Sequence, residues 1–147
     1  MPIELRWLGP DDDAVLDRVA PDVFDDPIAP RWTRAFLDDP RHHLVVALDD
    51  GVVVGMASGV DYVHPDKAPQ LWINEVGVAA SHHRRGIGRR LVDALVARGR
   101  ALGCTYVWVG TEEDNVAARA LYERAGGAPE PFVLYGWSLT DDAPPGP

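Results

Sequence analysis

The chain has 147 residues, 46% hydrophobic and 25% charged, which fits one domain (1–147) with a workable core and excludes a membrane span, since no apolar run approaches ~20 residues. The net charge of −9 is uneven: 12 acids face five bases in residues 1–50, four face seven in 51–100, and seven face two in 101–147. An acidic body disfavours nucleic acid and anionic membrane as partners and suits a cationic small molecule, although acidity also simply confers solubility. Cys104 is the only cysteine, so no intrachain disulfide forms, and residues 1–6 do not read as a signal peptide. A cytoplasmic protein is the simplest expectation.

Residues 3–8 alternate apolar and polar and predict a first strand. Asp11, Asp12 or Asp13 can cap a helix over 14–19, which Ala20-Pro21 ends. An irregular acidic stretch with Asp25 and Asp26 follows. Trp32, Ala35 and Phe36 have helical spacing within 31–37, and Pro40 stops that helix. Residues 43–48 and 52–60 predict two strands joined by the hairpin signal Asp49-Asp50-Gly51. The stretch 61–69, with two prolines, reads as a loop.

Residues 71–78 predict the next strand. A turn, His82-His83-Arg84-Arg85-Gly86-Ile87-Gly88, leads into a helix whose Leu91, Val92, Leu95, Val96 and Leu102 make one apolar face. Residues 82–90 contain four arginines, two histidines and no acid. Glycines at a helix start, with unpaired amides and the positive end of the macrodipole, form an anion site. We read it as a pyrophosphate cradle, with an ordinary basic helix start as the plain alternative. A P-loop is excluded because Arg89-Arg90 follows Gly88, and a dinucleotide fingerprint is excluded because Leu91 stands where a third glycine belongs.

After Gly103, residues 104–109 are β-branched and aromatic, which predicts a buried strand. An acidic loop, 110–114, precedes a helix from Asp114 or Asn115 to Gly126-Gly127. Residues 132–139 predict a last strand or hairpin, and 140–147 a frayed tail.

Two motifs in this order carry a family resemblance. His83-Arg84-Arg85-Gly86-Ile87-Gly88 resembles the acetyl-CoA loop of the GNAT superfamily of N-acetyltransferases, with His83 where that family has Gln or Arg. The helix from Asn115 through Ala118 to Tyr122 resembles the family's second motif. The resemblance covers residues 49–139 well and the N-terminal third loosely. It implies an α/β fold: a GNAT-like mixed, mostly antiparallel sheet, with splayed central parallel strands and helices on both faces. It also implies acetyl-CoA as cosubstrate. The contacts it suggests are Val76, Gly77 and Val78, the loop His83, Arg84, Arg85, Gly86, Ile87, Gly88 and Arg89, and then Asn115 and Tyr122. Asn115 is equally a plain helix cap.

Acetylating an amine requires deprotonation, a thioester held nearby, donors for an oxyanion and a proton for the leaving thiolate. Glu75 is the only carboxylate in the central strand and the best base; a structural carboxylate is its plain alternative. Strict alternation groups it with Leu71, Ile73 and Gly77, and a bulge would re-aim it. The matching family tyrosine makes Tyr122 the best acid, against a plain packing role. The oxyanion donor is expected among the amides of 76–78. Cys104 is a poor nucleophile candidate, and the histidines show no metal-ligand spacing, so no metal is expected.

The segment 45–139 is most like the aminoglycoside 3-N-acetyltransferases, through Ile73-Asn74-Glu75-Val76-Gly77-Val78, Glu112-Glu113-Asp114 and Ala120-Leu121-Tyr122. Gly127 departs from that branch, standing where a large apolar residue is usual. Asp25, Asp26, Glu112, Glu113 and Asp114 are the candidate substrate contacts, with Asp61 and Asp66 as further acids for the rim. The expected function is direct acetyl transfer, in a ternary complex, to a primary amine of an aminoglycoside- or polyamine-like molecule. The alternatives are a protein N-terminal or lysine acetyltransferase and a non-catalytic acyl-CoA-binding module. Oligomeric state is open, with a homodimer among the expectations.

Overall fold

A computed structural model describes residues 2–140; of the expected frayed tail, residues 141–147 lie outside the described residues. One five-stranded sheet runs in the order β1 (Glu4–Trp7), β2 (His42–Asp49), β3 (Val52–His64), β4 (Lys67–Val78), β5 (Tyr106–Val109). The first three pairings are antiparallel, and β4–β5 is parallel. Among the described residues three α-helices accompany it: α1 (Pro30–Asp38), α2 (Ile87–Ala101) and α3 (Val116–Arg124). This is the mixed, mostly antiparallel α/β architecture expected from the sequence.

The core lies between the sheet and α2. Ile87, Leu91, Val92 and Leu95 are buried on the helix, on the sheet face that carries the buried Val45, Ala47, Ala57, Leu71 and Ile73, while Leu44, Val46 and Met56 are buried on the opposite face. Burial of each such side chain contributes about 1.5–3 kcal/mol. Gly55 and Gly59 of β3 have no Cβ, and α2 settles closely over them, with Ile87, Leu91 and Leu95 atoms 3.1–3.5 Å from where a Cβ would stand. The hairpin signal is realised as a two-residue turn: Asp49 pairs with Val52, and Asp50 and Gly51 both have positive φ (49° and 78°).

Four expectations are corrected. The helix over 14–19 is a single 3-10 turn, Asp13–Asp17; Asp12 instead accepts the Gly9 amide at 2.8 Å and ion-pairs with Arg6 at 2.7 Å, which ties it to the preceding loop. The loop over 61–69 is a strand hairpin: β3 reaches His64 and β4 starts at Lys67. Pro65 falls in its turn, and the carbonyl of Pro69 accepts the Thr105 amide at 2.9 Å, a role that requires no proline N–H. The strand over 104–109 is shorter and not buried, since β5 is the sheet's last strand and Tyr106 and Trp108 are exposed. The strand over 132–139 is not formed: the segment is exposed and joins no ladder among the described residues, so it lacks the pairing and burial that stabilise a strand.

Candidate active site

The position of Glu75 is set by a bulge. Ser58 pairs with Glu75 and Gly59 pairs with Ile73, which leaves Asn74 as an extra residue on β4. Before the bulge, Leu71 and Ile73 face α2. After it, Val76 and Val78 do, a Val78 methyl lying 3.8 Å from the Cβ position of Gly88 at the start of that helix. Glu75 and Gly77 therefore turn to the opposite face, beside Ser58 and Met56. Strict alternation would have kept Glu75 with Leu71 and Ile73 under α2; the bulge places it on the face that α2 leaves open.

That face is met by the irregular stretch before α1. Val23 is buried, and its carbonyl oxygen occupies the space a Cβ at Gly77 would need. The neighbouring Asp25 and Asp26 come close to Glu75. Partial burial, then the charge of Asp25, then that of Asp26, hold the Glu75 carboxyl above its ordinary value. The same face continues into an aromatic group that the sequence reading missed. Trp108 donates to the Tyr62 hydroxyl (2.7 Å), Tyr62 donates to Gln70 (3.0 Å), and the Trp72 and Trp108 rings stack at 5.8 Å. The signal for it was the period-2 placement of Gln70 and Trp72 beside Tyr106 and Trp108, obscured by reading 61–69 as a loop.

The parallel ladder ends early. Ile73–Val109 is the last β4–β5 pair, so residues 74–78 of β4 face no β5 partner. This is the splay that the family resemblance implied. The basic loop lies at its end. His83 donates through Nε2 to the Val78 carbonyl at 2.9 Å, which pins the loop to the strand. Arg84 and Gly86 both have positive φ (64° and 74°). The first main-chain bond of α2 runs from the Arg90 amide to the Gly86 carbonyl (3.1 Å), so the amides of Ile87, Gly88 and Arg89 precede the ladder. A Cβ at Gly86 would meet nothing within 4 Å, so the backbone is open to a ligand there. The missing Cβ of Gly88 has another use: Leu121 of α3 packs 3.3 Å from its position. The side chain of Arg89 pairs with Asp93 (3.1 Å) and that of Arg90 binds the Ile3 carbonyl (3.1 Å), whereas Arg84 and Arg85 are exposed around the cradle.

Helix α3 forms the other wall. Asn115 caps it, its side chain accepting the Ala118 amide at 3.1 Å. Tyr122 is half-buried, and burial raises the pKa of its phenol. Gly127 has a local reason: its amide binds the Tyr122 carbonyl (2.9 Å) and that of Gly126 binds the Glu123 carbonyl (3.0 Å), with Gly126 at φ 96°. This glycine cap ends the helix beside Tyr122.

The remaining candidates divide. Glu112, Glu113 and Asp114 are exposed on the turn between β5 and α3, and the carbonyl of Glu113 accepts Arg119 at 2.9 Å. Asp61 is engaged elsewhere, 2.6 Å from the buried His43, and Asp66 bonds His64 and Lys67 in the hairpin turn. Burial, with the charge of Asp61 second, raises the Cys104 thiol pKa and disfavours the thiolate a nucleophile would need. No helix among the described residues is long and apolar enough to cross a membrane.

The fold agrees with comparisons to known proteins. N-alpha-acetyltransferase RimI of Mycobacterium tuberculosis is 36% identical over 104 residues, covering 71% of this chain and 63% of that protein. L-2,4-diaminobutyric acid acetyltransferase of Streptomyces avermitilis is 31% identical over 121 residues, 79% of this chain and 65% of that one. The chain thus spans just under two thirds of the length of these relatives. The fold matches the crystal structure of the aminoglycoside acetyltransferase HMB0005 from an uncultured soil metagenomic sample, with a TM-score of 0.80 at 20% identity over 95% of this chain and 100% of that one. Residues 11–127 match the acetyltransferase (GNAT) family, and the chain belongs to that family.

Proposed function

We propose that the protein transfers an acetyl group from acetyl-CoA to a primary amine of a small molecule bearing more than one amine, by direct attack in a ternary complex. The observation that carries the acceptor class is the convergence of Glu75 with Asp25 and Asp26 on one open sheet face. An alkyl amine with a pKa near ~10.4 arrives as an ammonium. The acidic group attracts it, Asp25 and Asp26 hold a second ammonium, and Glu75 takes the proton from the reacting nitrogen. A raised carboxyl pKa makes Glu75 a stronger base.

The open amides of the loop and the uncovered Gly86 fit a pyrophosphate, and main-chain groups of residues 76–78 fit an extended arm in the splay. Acetyl-CoA, when bound, supplies the activated acetyl thioester. His83, Arg84, Arg85, Gly86, Ile87, Gly88 and Arg89 hold it, His83 by bracing the loop. An amide of 76–78 serves the developing oxyanion. Tyr122, a phenol protonated at neutral pH like any tyrosine and held further above its ordinary pKa by burial, delivers its proton to the departing sulfur.

The aminoglycoside 3-N branch is the narrower form of this reading and rests on residues 73–78 and 120–122. One aminoglycoside relative is an N(6')-acetyltransferase of Salmonella typhimurium, 27% identical over 85 residues, so the branch is a matter for assay. The similarity to RimI supports a second reading, with a peptide N-terminus as acceptor. Thiol release from acetyl-CoA with monoamines, diamines, aminoglycosides and short peptides separates them. Diamines and aminoglycosides are expected to lead; a lead for peptides favours the second reading, and no release above background with any amine leaves a non-catalytic acyl-CoA-binding module.

A further inference from the structure

A cavity lies away from the basic loop, at the sheet edge where β1 stops. Trp7–Val45 is the last β1–β2 pair, and the Leu8 amide still reaches the Leu44 carbonyl at 3.0 Å. The chain then turns off through Gly9, so His42 and His43 pair only with β3 among the described residues. The turn after α1 closes the other side with Asp38 and Asp39. The cavity holds about 220 Å³, below the ~300–1,000 Å³ of sites for drug-sized ligands, so it suits a smaller molecule. Arg98, which borders it, comes eleven residues after Ile87, about 16 Å along α2 from the basic loop.

The polar groups here are not used up by the fold. His43 is 5% exposed and lies on the α2 side of the sheet, paired with Gly59. Its Nε2 is 2.6 Å from Asp61. That carboxylate holds the ring proton on Nε2, so the neutral ring presents Nδ1 as an acceptor. Among the described residues Nδ1 bonds no group, and it is not sealed from the cavity. The guanidinium of Arg98 lies over the Trp7 ring, 3.7 Å from its centre, and has no ion pair or side-chain hydrogen bond among the described residues. Stacking fixes its position and leaves its N–H edge free. Asp38 is exposed at the rim; Asp39 accepts the Arg41 amide (2.9 Å) through Oδ1, and its Oδ2 stands 3.8 Å from His42 Nδ1, beyond hydrogen-bond reach. No three His, Cys, Asp or Glu side chains come close enough together to hold a metal ion among the described residues.

We propose that this cavity binds a small free α-amino acid as a zwitterion, at a site separate from the transferase centre. The carboxylate pairs with the N–H edge of Arg98, which can bind it bidentately. The ammonium donates to His43 Nδ1 and is drawn by Asp38 and Asp39. Trp7 forms an apolar wall. Each half of the ligand answers a group the chain leaves unused, whereas a simple anion meets the two aspartates and a simple amine meets Arg98. The site rests on the fold and is independent of the acceptor.

Calorimetry on the full chain without acetyl-CoA tests it, with L-alanine, L-serine and L-valine at roughly 0.1–10 mM, a range suited to ligands of so few atoms. Saturable binding of at least one is expected. Its decarboxylated amine (ethylamine, ethanolamine or isobutylamine) and its N-acetyl derivative should bind about tenfold more weakly or worse. Arg98→Gln should weaken the amino acid by a similar factor, while Asp25→Asn/Asp26→Asn leaves it unchanged. Nitrogen-15 spectra of the histidine rings keep the test decisive if Arg98→Gln does not fold: the His43 signals should shift on titration of the wild type and those of His83 should not. Absence of binding by all three amino acids overturns the proposal. So does an amine or N-acetyl derivative that binds as well as its parent, a folded Arg98→Gln with unchanged affinity, or an unmoved His43 signal. Loss of binding in Asp25→Asn/Asp26→Asn would assign the amino acid to the acceptor site and overturn it too.

Discussion

The carbonyl of Val23 lies where a side chain at position 77 would begin, so Gly77 is the residue against which the acidic stretch closes. In the sequence Gly77 stands out only as one of three strand residues expected to meet acetyl-CoA through the main chain. Its use is to bring Asp25 and Asp26 up to Glu75. Gly77→Ala forces that stretch away, at about 1–3 kcal/mol of stability, and is expected to lower kcat/KM for diamines while acetyl-CoA affinity is retained. Thermal unfolding, calorimetry and steady-state rates measure the three effects separately.

Gly86→Val tests the cradle. Its φ of 74° is unfavourable for a β-branched residue, and its Cβ would project into the open space above the first helical amides. Wild-type affinity for acetyl-CoA is expected in the micromolar range, on the order of −8 kcal/mol, and weaker by tenfold or more in the variant. Calorimetry showing unchanged affinity in a folded variant would place the cradle elsewhere.

Helices α1, α2 and α3 and the basic loop before α2 were legible because periodicity and glycine–arginine chemistry are local signals, whereas the helix expected over 14–19 forms only a 3-10 turn. The bulge at Asn74 was not, since it arises from pairing with Ser58 and Gly59 across the sheet. The long hairpin was hidden by Pro65 and Pro69, which read locally as breakers. The partnership of Asp25 and Asp26 with Glu75 joins residues fifty positions apart, and the sequence instead favoured Glu112, Glu113 and Asp114 because they follow a strand end. Residues 132–139 carry a strand's apolar pattern, but no strand forms there among the described residues, because a strand also needs a paired edge that the local pattern does not supply.

Asn115 and Tyr122 should respond differently to substitution. Asn115→Ala removes the cap on Ala118 and is expected to cost about 0.5–2 kcal/mol of stability. Tyr122→Phe keeps the ring and loses the proton, and should lower kcat by ~10²–10⁴-fold with little change in acetyl-CoA affinity. A Tyr122→Phe enzyme with full kcat would leave Tyr122 as packing alone.

Neutralising the two acidic groups separately locates the acceptor. Asp25→Asn/Asp26→Asn should raise KM for a diamine far more than for a monoamine, and should reduce the fall of diamine kcat/KM with added salt. The Glu112, Glu113 and Asp114 triple amide variant should show the smaller change. The reverse order would move the acceptor mouth to the turn after β5.

The most direct test is the pH dependence of kcat/KM. The carboxyl of Glu75 titrates above its ordinary value through partial burial and the charges of Asp25 and Asp26. As a base it acts only when deprotonated, so activity rises with pH through that raised pKa. Removing the two charges lowers the pKa of Glu75. The account predicts that Asp25→Asn/Asp26→Asn moves the acidic limb to lower pH, and that Glu75→Gln abolishes this limb and recovers rate only at high pH, where free amine is abundant. An acidic limb at the same pH in wild type and in Asp25→Asn/Asp26→Asn, or one that persists in Glu75→Gln, would contradict it.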